Sequence, residues 1–278
     1  VIRPRDIVRC LGLIAPIASL GACTPIDWDP PADAEPSIGC GVDDPERTIV
    51  HQTIEVEGTT RSYTVRFPGS YHDDYPFPLV FMFHGAGATG GEFRELTALE
   101  EAARARAIFV YPTAMEDAQG VTRWDGDPAG PDFSLRAAIE DDLTERYCVD
   151  EARIFGVGFS NGAAFANEVA CAGEVDGLGA VSGGGPVAPP CAGPVPAAIV
   201  HGSGDPVVDI EYGEQTRDAW GDENGCAETL TTTSPDPCLA YDDCDAPVLW
   251  CEHDDPVQIA HGWPKWTDEA IWSVLGAI

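Results

Sequence analysis

Short, almost wholly apolar runs alternate along this chain with longer stretches of mixed polarity. Pro78–Phe83, Ala107–Tyr111, Ala152–Val157, Leu178–Val181, Ala197–Val200 and Pro247–Cys251 are the apolar ones. Runs this brief, without polar alternation, predict strands buried on both faces. Between them the spacing of apolar residues turns helical. Helices are predicted over about Gly91–Arg106, over Asp132–Tyr147 with Ile139, Leu143 and Tyr147 on one face, over Ala163–Ala170 and near Glu211–Trp220. A last helix follows Pro264, a residue suited to the first helical turn. Ahead of all these, Thr48–Glu57 and Thr60–Phe67 flank Gly58 as a hairpin at the leading edge of the sheet. No internal repeat and no transmembrane helix stands out. Strand alternating with helix predicts an α/β fold, a mostly parallel sheet covered by helices on both faces. A ligand then binds beyond the carboxyl ends of the strands.

The candidate chemistry sits at one strand-to-helix switch, Gly158-Phe159-Ser160-Asn161-Gly162. Glycines two residues either side of the serine permit a tight elbow that lifts its hydroxyl above the sheet edge. A serine is a poor nucleophile until a base takes its proton, and the base needs a carboxylate to orient it. Downstream stand His201, His253 and His261. Asp205 follows the Ala197–Val200 strand in a loop beside the elbow, which makes it the acid; Asp242, Asp245, Asp254 and Asp255 are its rivals. His261 is the expected base, with His253 as the alternative, and His201 reads as a structural residue at a strand end. An oxyanion hole is expected from the glycine-rich loop His84-Gly85-Ala86-Gly87 after the Pro78–Phe83 strand. The amides of Ala86 and Asn161 are its expected donors, Gly87 stands next in line, and His84 props the loop.

These residues, with Tyr147-Cys148-Val149-Asp150, His201 to Val208 and His261-Gly262-Trp263-Pro264, occur in a familiar order. From about Thr48 to the C-terminus the chain resembles the polyhydroxybutyrate-depolymerase-like and feruloyl or acetylxylan esterases. These are secreted bacterial and fungal carboxylic ester hydrolases of α/β-hydrolase fold. The resemblance implies Ser160 as nucleophile, Asp205 as acid and His261 as base, working through an acyl-enzyme without a cofactor. Many relatives carry two glycines before the histidine and another after the elbow; here those places hold Ile259-Ala260 and Ala163. The pocket walls therefore differ, and the choice among hydroxyalkanoate, feruloyl and acetyl esters stays open. Trp124 and Trp263 are candidates for lining that pocket, with core packing as the alternative. Two competing readings are a catalytically inactive, surface-anchored binding lipoprotein and a peptidase or thioesterase on the same scaffold.

Composition narrows the partners. The net charge is −32 and Lys265 is the only lysine, so no basic stripe exists to neutralise nucleic-acid phosphates. A monomer acting on a small or polymeric ester is expected. Arg3, Arg5 and Arg9 precede the apolar stretch Cys10–Leu20, as in an export signal. Leu20-Gly21-Ala22-Cys23 resembles a bacterial lipobox, which implies a signal peptide over 1–22 and lipidation of Cys23. Thr24 after that cysteine implies sorting to an outer membrane or cell surface; simple secretion is the alternative. Residues 23–46 then read as a flexible acidic tether and 47–278 as the catalytic domain.

Eight further cysteines, Cys40, Cys148, Cys171, Cys191, Cys226, Cys238, Cys244 and Cys251, form an even set that predicts disulfides in an exported chain. Their pairing stays open. No C-x-x-C knuckles suggest zinc, and Asp125 with Asp127 reads as a surface loop, so no metal site is expected. Ser182 reads as a loop residue. Bridges among the last four cysteines would stiffen the segment that delivers His261.

Overall fold

The computed structural model describes residues 30–42, 49–185, 189–254 and 260–278. The leader over 1–22 and Cys23 lie outside the described residues. The sheet begins with β1 (Ile49–Val56) and β2 (Thr59–Arg66), paired antiparallel about Glu57 and Gly58. Their φ values of 51° and 80° give the two-residue turn whose twist matches that of the strands. There follow β3 (Phe77–Phe83), α1 (Gly90–Leu96), α2 (Leu99–Ala102), β4 (Ile108–Pro112), α3 (Pro131–Arg146), β5 (Val149–Phe159) and α4 (Asn161–Cys171). The chain continues through β6 (Gly177–Val181), β7 (Ala197–Gly202), α5 (Ile210–Glu223), β8 (Leu230–Thr232), β9 (Leu239–Tyr241), β10 (Val248–His253) and α6 (Thr267–Leu275). Strand order is β1-β2-β4-β3-β5-β6-β7-β10-β9-β8. The central strands β4, β3, β5, β6, β7 and β10 are parallel, and the pairs at both edges are antiparallel.

Side-chain alternation along β3 shows why both faces are covered. Leu79, Phe81 and Phe83 point to one face, where they join Leu135 and Ile139 of α3, Phe165 of α4 and Trp220 of α5. Val80 and Met82 point to the other, packed with Phe93 of α1, Leu99 of α2 and Ile271 of α6. Each such side chain, fully removed from water, contributes about 1.5–3 kcal/mol. Their burial on both faces is what lets so apolar a strand stand at the centre. A mostly parallel sheet covered by helices on both faces is thus present, as the run pattern predicts.

Several local expectations are revised. The single helix expected over 91–106 is two: α1 ends before Thr97, and the Ala98 amide turns aside to donate to Asp268 Oδ1 at 3.1 Å. Arg104 and Ala105, at φ 50° and 59°, then redirect the chain into β4. Pro264 does not open the last helix. Its carbonyl accepts the Thr267 amide in a turn, and Thr267 is the first helical residue. The two short strands β8 and β9 carry too few apolar residues to announce themselves; disulfides Cys226–Cys244 and Cys238–Cys251 hold that region instead.

The boundary expected at residue 47 does not divide tether from domain. Residues 30–42 are docked against α3 and β5. Ser37 exchanges backbone and side-chain bonds with Tyr147 and Val149, and the Gly39 amide donates to Thr144 O at 2.9 Å. Asp33 pairs with Arg153 at 2.7 Å, and Cys40 is bridged to Cys148. The acidic, proline-rich composition hid these backbone contacts, which need no apolar pattern. With Cys171–Cys191, all eight cysteines among the described residues are paired.

Asp268 supplies a pH test of the packing between α6, α2 and the loop before α6. Burial pushes its carboxyl up to about 6, against the opposing bonds from Trp263 Nε1 and the Ala98 amide. A folded value above the ordinary one means that the folded state holds the proton more tightly. Its contribution to stability is complete below the unfolded value and is lost as pH rises through about 6. Both bonds end on the same oxygen, Oδ1, so Asp268→Asn keeps them. Urea unfolding should show the variant more stable than the parent by about 1–3 kcal/mol at pH 8, with no gain at pH 4. A gain that is equal at both pH values would rule out titration as its source.

Candidate active site

The elbow forms because two glycines allow the backbone to fold onto itself. A Cβ on Gly158 would lie 2.1 Å from the Gly162 carbonyl oxygen, and one on Gly162 would lie 2.1 Å from that of Phe83. Between them Ser160 is held at φ 55°, ψ −119°, a strained conformation for a residue with a side chain. Its amide donates to Val181 O at 2.8 Å, which ties the turn to the end of β6.

Two loops bring partners to it. Ser160 Oγ lies 3.0 Å from His261 Nε2, and His261 Nδ1 lies 2.7 Å from Asp205 Oδ2. In the neutral tautomer that fits, Nδ1–H donates to the carboxylate and Nε2 accepts from the serine. The second carboxylate oxygen of Asp205 accepts the Val207 and Val208 amides at 2.8 and 3.0 Å. Burial pushes the Asp205 carboxyl up, but the bonds from Val208, His261 and Val207 outweigh it and hold the group below its ordinary value. Asp205 therefore stays ionised opposite the imidazole. The structure brings together all three side chains read from the sequence, Ser160, Asp205 and His261.

The other histidines take different places. His201, fully buried, lies with Nε2 2.9 Å from Val208 O and 3.5 Å from Asp205 Oδ2, and so braces the loop that carries the acid. His253 ends β10, where its carbonyl accepts from Ser203, and its ring packs against Trp266. It is not part of the relay. His84 accepts the Ala114 amide on Nε2 at 3.0 Å and donates from Nδ1 to Gly85 O at 2.7 Å. Burial lowers its basicity, as suits a neutral prop.

Of the loop amides, that of Gly87 is spent on Thr122 O at 2.8 Å. The hairpin around Glu116 and Thr122 braces this loop from outside, and Thr122 Oγ1 donates to Ala88 O at 2.6 Å. It escaped the sequence reading because only the turn at Gly120, φ 75°, marks it. The Asn161 side chain grips the same hairpin, accepting the Trp124 amide at 2.7 Å and donating to Trp124 O at 3.3 Å.

The two tryptophans are largely buried, packed as core residues. Trp124 is 4% exposed; its ring stacks on Phe165 and meets Phe83 edge-on, and its indole N–H donates to His84 O. Trp263 is 5% exposed, set against Phe93 and bonded to Asp268. Large apolar rings so close to the sheet are drawn into the core, and each N–H finds a buried acceptor. Asp125 and Asp127 accept amides of their own loop, from Asp127 and Ala129. Among the described residues no group of His, Cys, Asp or Glu is arranged to hold a metal ion.

No family model matches the chain. Feruloyl esterase D of Neurospora crassa is 29% identical over 246 residues, 80% of this chain and 82% of that protein. Feruloyl esterase C of Emericella nidulans is 28% identical over 226 residues, 78% of this chain and 77% of that protein. Among solved structures, the acetyl xylan esterase of Aspergillus awamori superposes with a TM-score of 0.65 at 15% identity, covering 82% of this chain and 100% of that one. A ferulic acid esterase of Anaeromyces mucronatus gives 0.56 at 17% identity, covering 88% and 97%. At such identities the structural likeness establishes the fold, and the sequence likeness narrows it. The chain has the α/β-hydrolase fold and is similar in sequence to feruloyl esterases, as a carboxylic ester hydrolase.

Proposed function

We infer that this carboxylic ester hydrolase works through Ser160 as its nucleophile. The observation that carries the reading is the unbroken relay of 3.0 Å and 2.7 Å from Ser160 through His261 to Asp205. His261 takes the serine proton as Oγ attacks the ester carbonyl, and Asp205 stabilises the imidazolium that forms. The amides of Ala86 and Asn161 receive the developing oxyanion; the Gly87 amide is already engaged, which favours Ala86. The alcohol leaves with the proton from His261, and water releases the acyl group by the same two steps. The relatives' names direct the substrate class to feruloyl or acetyl esters. A fluorophosphonate probe tests the assignment. Covalent labelling of the parent at Ser160, abolished in Ser160→Ala, is the expected result, and an unlabelled but folded parent would refute it.

Export with a lipid anchor at Cys23 is the accompanying reading. It is supported by the basic and apolar leader and by four disulfides, which persist in oxidising compartments. Expressed in a bacterial host, the full chain should incorporate labelled palmitate and Cys23→Ala should not; incorporation that survives the substitution overturns the anchor.

A further inference from the structure

The rim around the nucleophile carries an aromatic ring that the relay leaves unused. The order β5-β6-β7 sets Ser160, the loop after β6 and the Asp205 loop side by side at the carboxyl edge of the sheet. The middle loop is stripped of side chains: Gly183, Gly184 and Gly185 follow one another. A Cβ on Gly183 would lie 2.7 Å from the Ser160 carbonyl oxygen, so this loop is pressed against the elbow. The Asn167 side chain of α4 fixes it further, donating to Gly184 O at 2.9 Å.

Tyr212 stands over this strip. A Cβ on Gly184 would be 3.9 Å from Tyr212 Cδ1, so the ring lies against the strip whose preceding residue, Gly183, touches the elbow. Tyr212 sits in the first turn of α5, and its amide donates to Asp209 O, four residues beyond the acid. Tyr212 is nevertheless 55% exposed, and Val207, two residues after Asp205, is 67% exposed. Tyr212 and Val207 thus stand exposed on the segment that follows the acid, Tyr212 beside the glycine strip.

We propose that Tyr212, with Val207, is a specificity-determining platform that holds the planar aromatic part of an aryl-acyl ester while Ser160 attacks its carbonyl. This rests on the hydrolytic reading above and adds the side chain that selects the acyl group. A flat ring open on one face takes another flat ring by offset stacking. The same contact gives a short aliphatic acyl chain little extra. The phenolic hydroxyl is not needed.

Methyl ferulate and methyl butyrate release the same alcohol and differ only in the acyl group, so they isolate this contact. In Tyr212→Ala, KM for methyl ferulate should rise about fivefold with kcat little changed, the scale of one aromatic contact. KM for methyl butyrate should stay within about twofold of the parent. Tyr212→Phe should match the parent on both esters. Equal losses on the two esters, or none on methyl ferulate, would overturn the platform. A parent that cleaves methyl butyrate but not methyl ferulate would overturn it too, while leaving the hydrolytic reading intact. If the folded parent cleaves neither ester and Ser160 escapes the fluorophosphonate, the hydrolytic reading fails and the platform with it.

Discussion

Ser160→Ala should fold normally and lose about six orders of magnitude in ester turnover. Folding is insulated because the elbow depends on Gly158 and Gly162, which make the close approaches, and not on the serine hydroxyl. The Ser160 amide still bonds to Val181 O, and alanine meets the same backbone strain as serine. Turnover collapses because Oγ is the atom that His261 can deprotonate, 3.0 Å away. Some acceleration should survive, since pre-set amides still stabilise an oxyanion made by attack of water; in related triads this residue amounts to about 10³-fold over the uncatalysed rate. Initial rates on methyl ferulate and methyl butyrate, beside circular dichroism of the variant, decide the point. A folded variant within about tenfold of the parent would remove Ser160 from the mechanism.

The largest effect on stability should come from the bridge that closes the longest loop. Cys40 and Cys148 are 108 residues apart, against 20, 18 and 13 for the other three pairs. Replacing both by serine frees the unfolded chain and should cost about 4–5 kcal/mol. Removing Cys238–Cys251 should cost only about 3 kcal/mol on the same reasoning. Activity under native conditions should be nearly untouched. Cys148 precedes β5 and Ser160 follows it, so the bridge and Ser160 lie at opposite ends of that strand. Urea unfolding of the two double variants measures the difference. A loss under about 1 kcal/mol for Cys40→Ser/Cys148→Ser would mean that closing this loop does not restrict the unfolded chain as the entropic account requires.

Much of this architecture was legible because burial on both faces leaves a plain mark. The runs around Leu79, Val110, Ile154, Leu178, Ile199 and Leu249 each became a parallel strand. Boundaries were less legible where a side chain from elsewhere intervened. Asp268 takes the Ala98 amide and breaks a helix, and Pro36 pairs with Asp150 at the start of β5, ahead of the apolar run. Neither contact has a local signature, since each joins residues more than a hundred positions apart.

For the site, the division is physical. Residue type and backbone permission are local properties. Glycines around a serine, an aspartate after one strand and a histidine after another could therefore be named in order as Ser160, Asp205 and His261. Which rings face the substrate is a non-local matter of competition for the core. Trp124 and Trp263 looked available, but Phe165 and Phe93 draw them inside, while Tyr212, unremarkable in the chain, is left at the rim by a floor of glycines. Pairing of the eight cysteines and docking of residues 30–42 depend likewise on distances that exist once the chain has closed, because proximity in space has no counterpart in linear order.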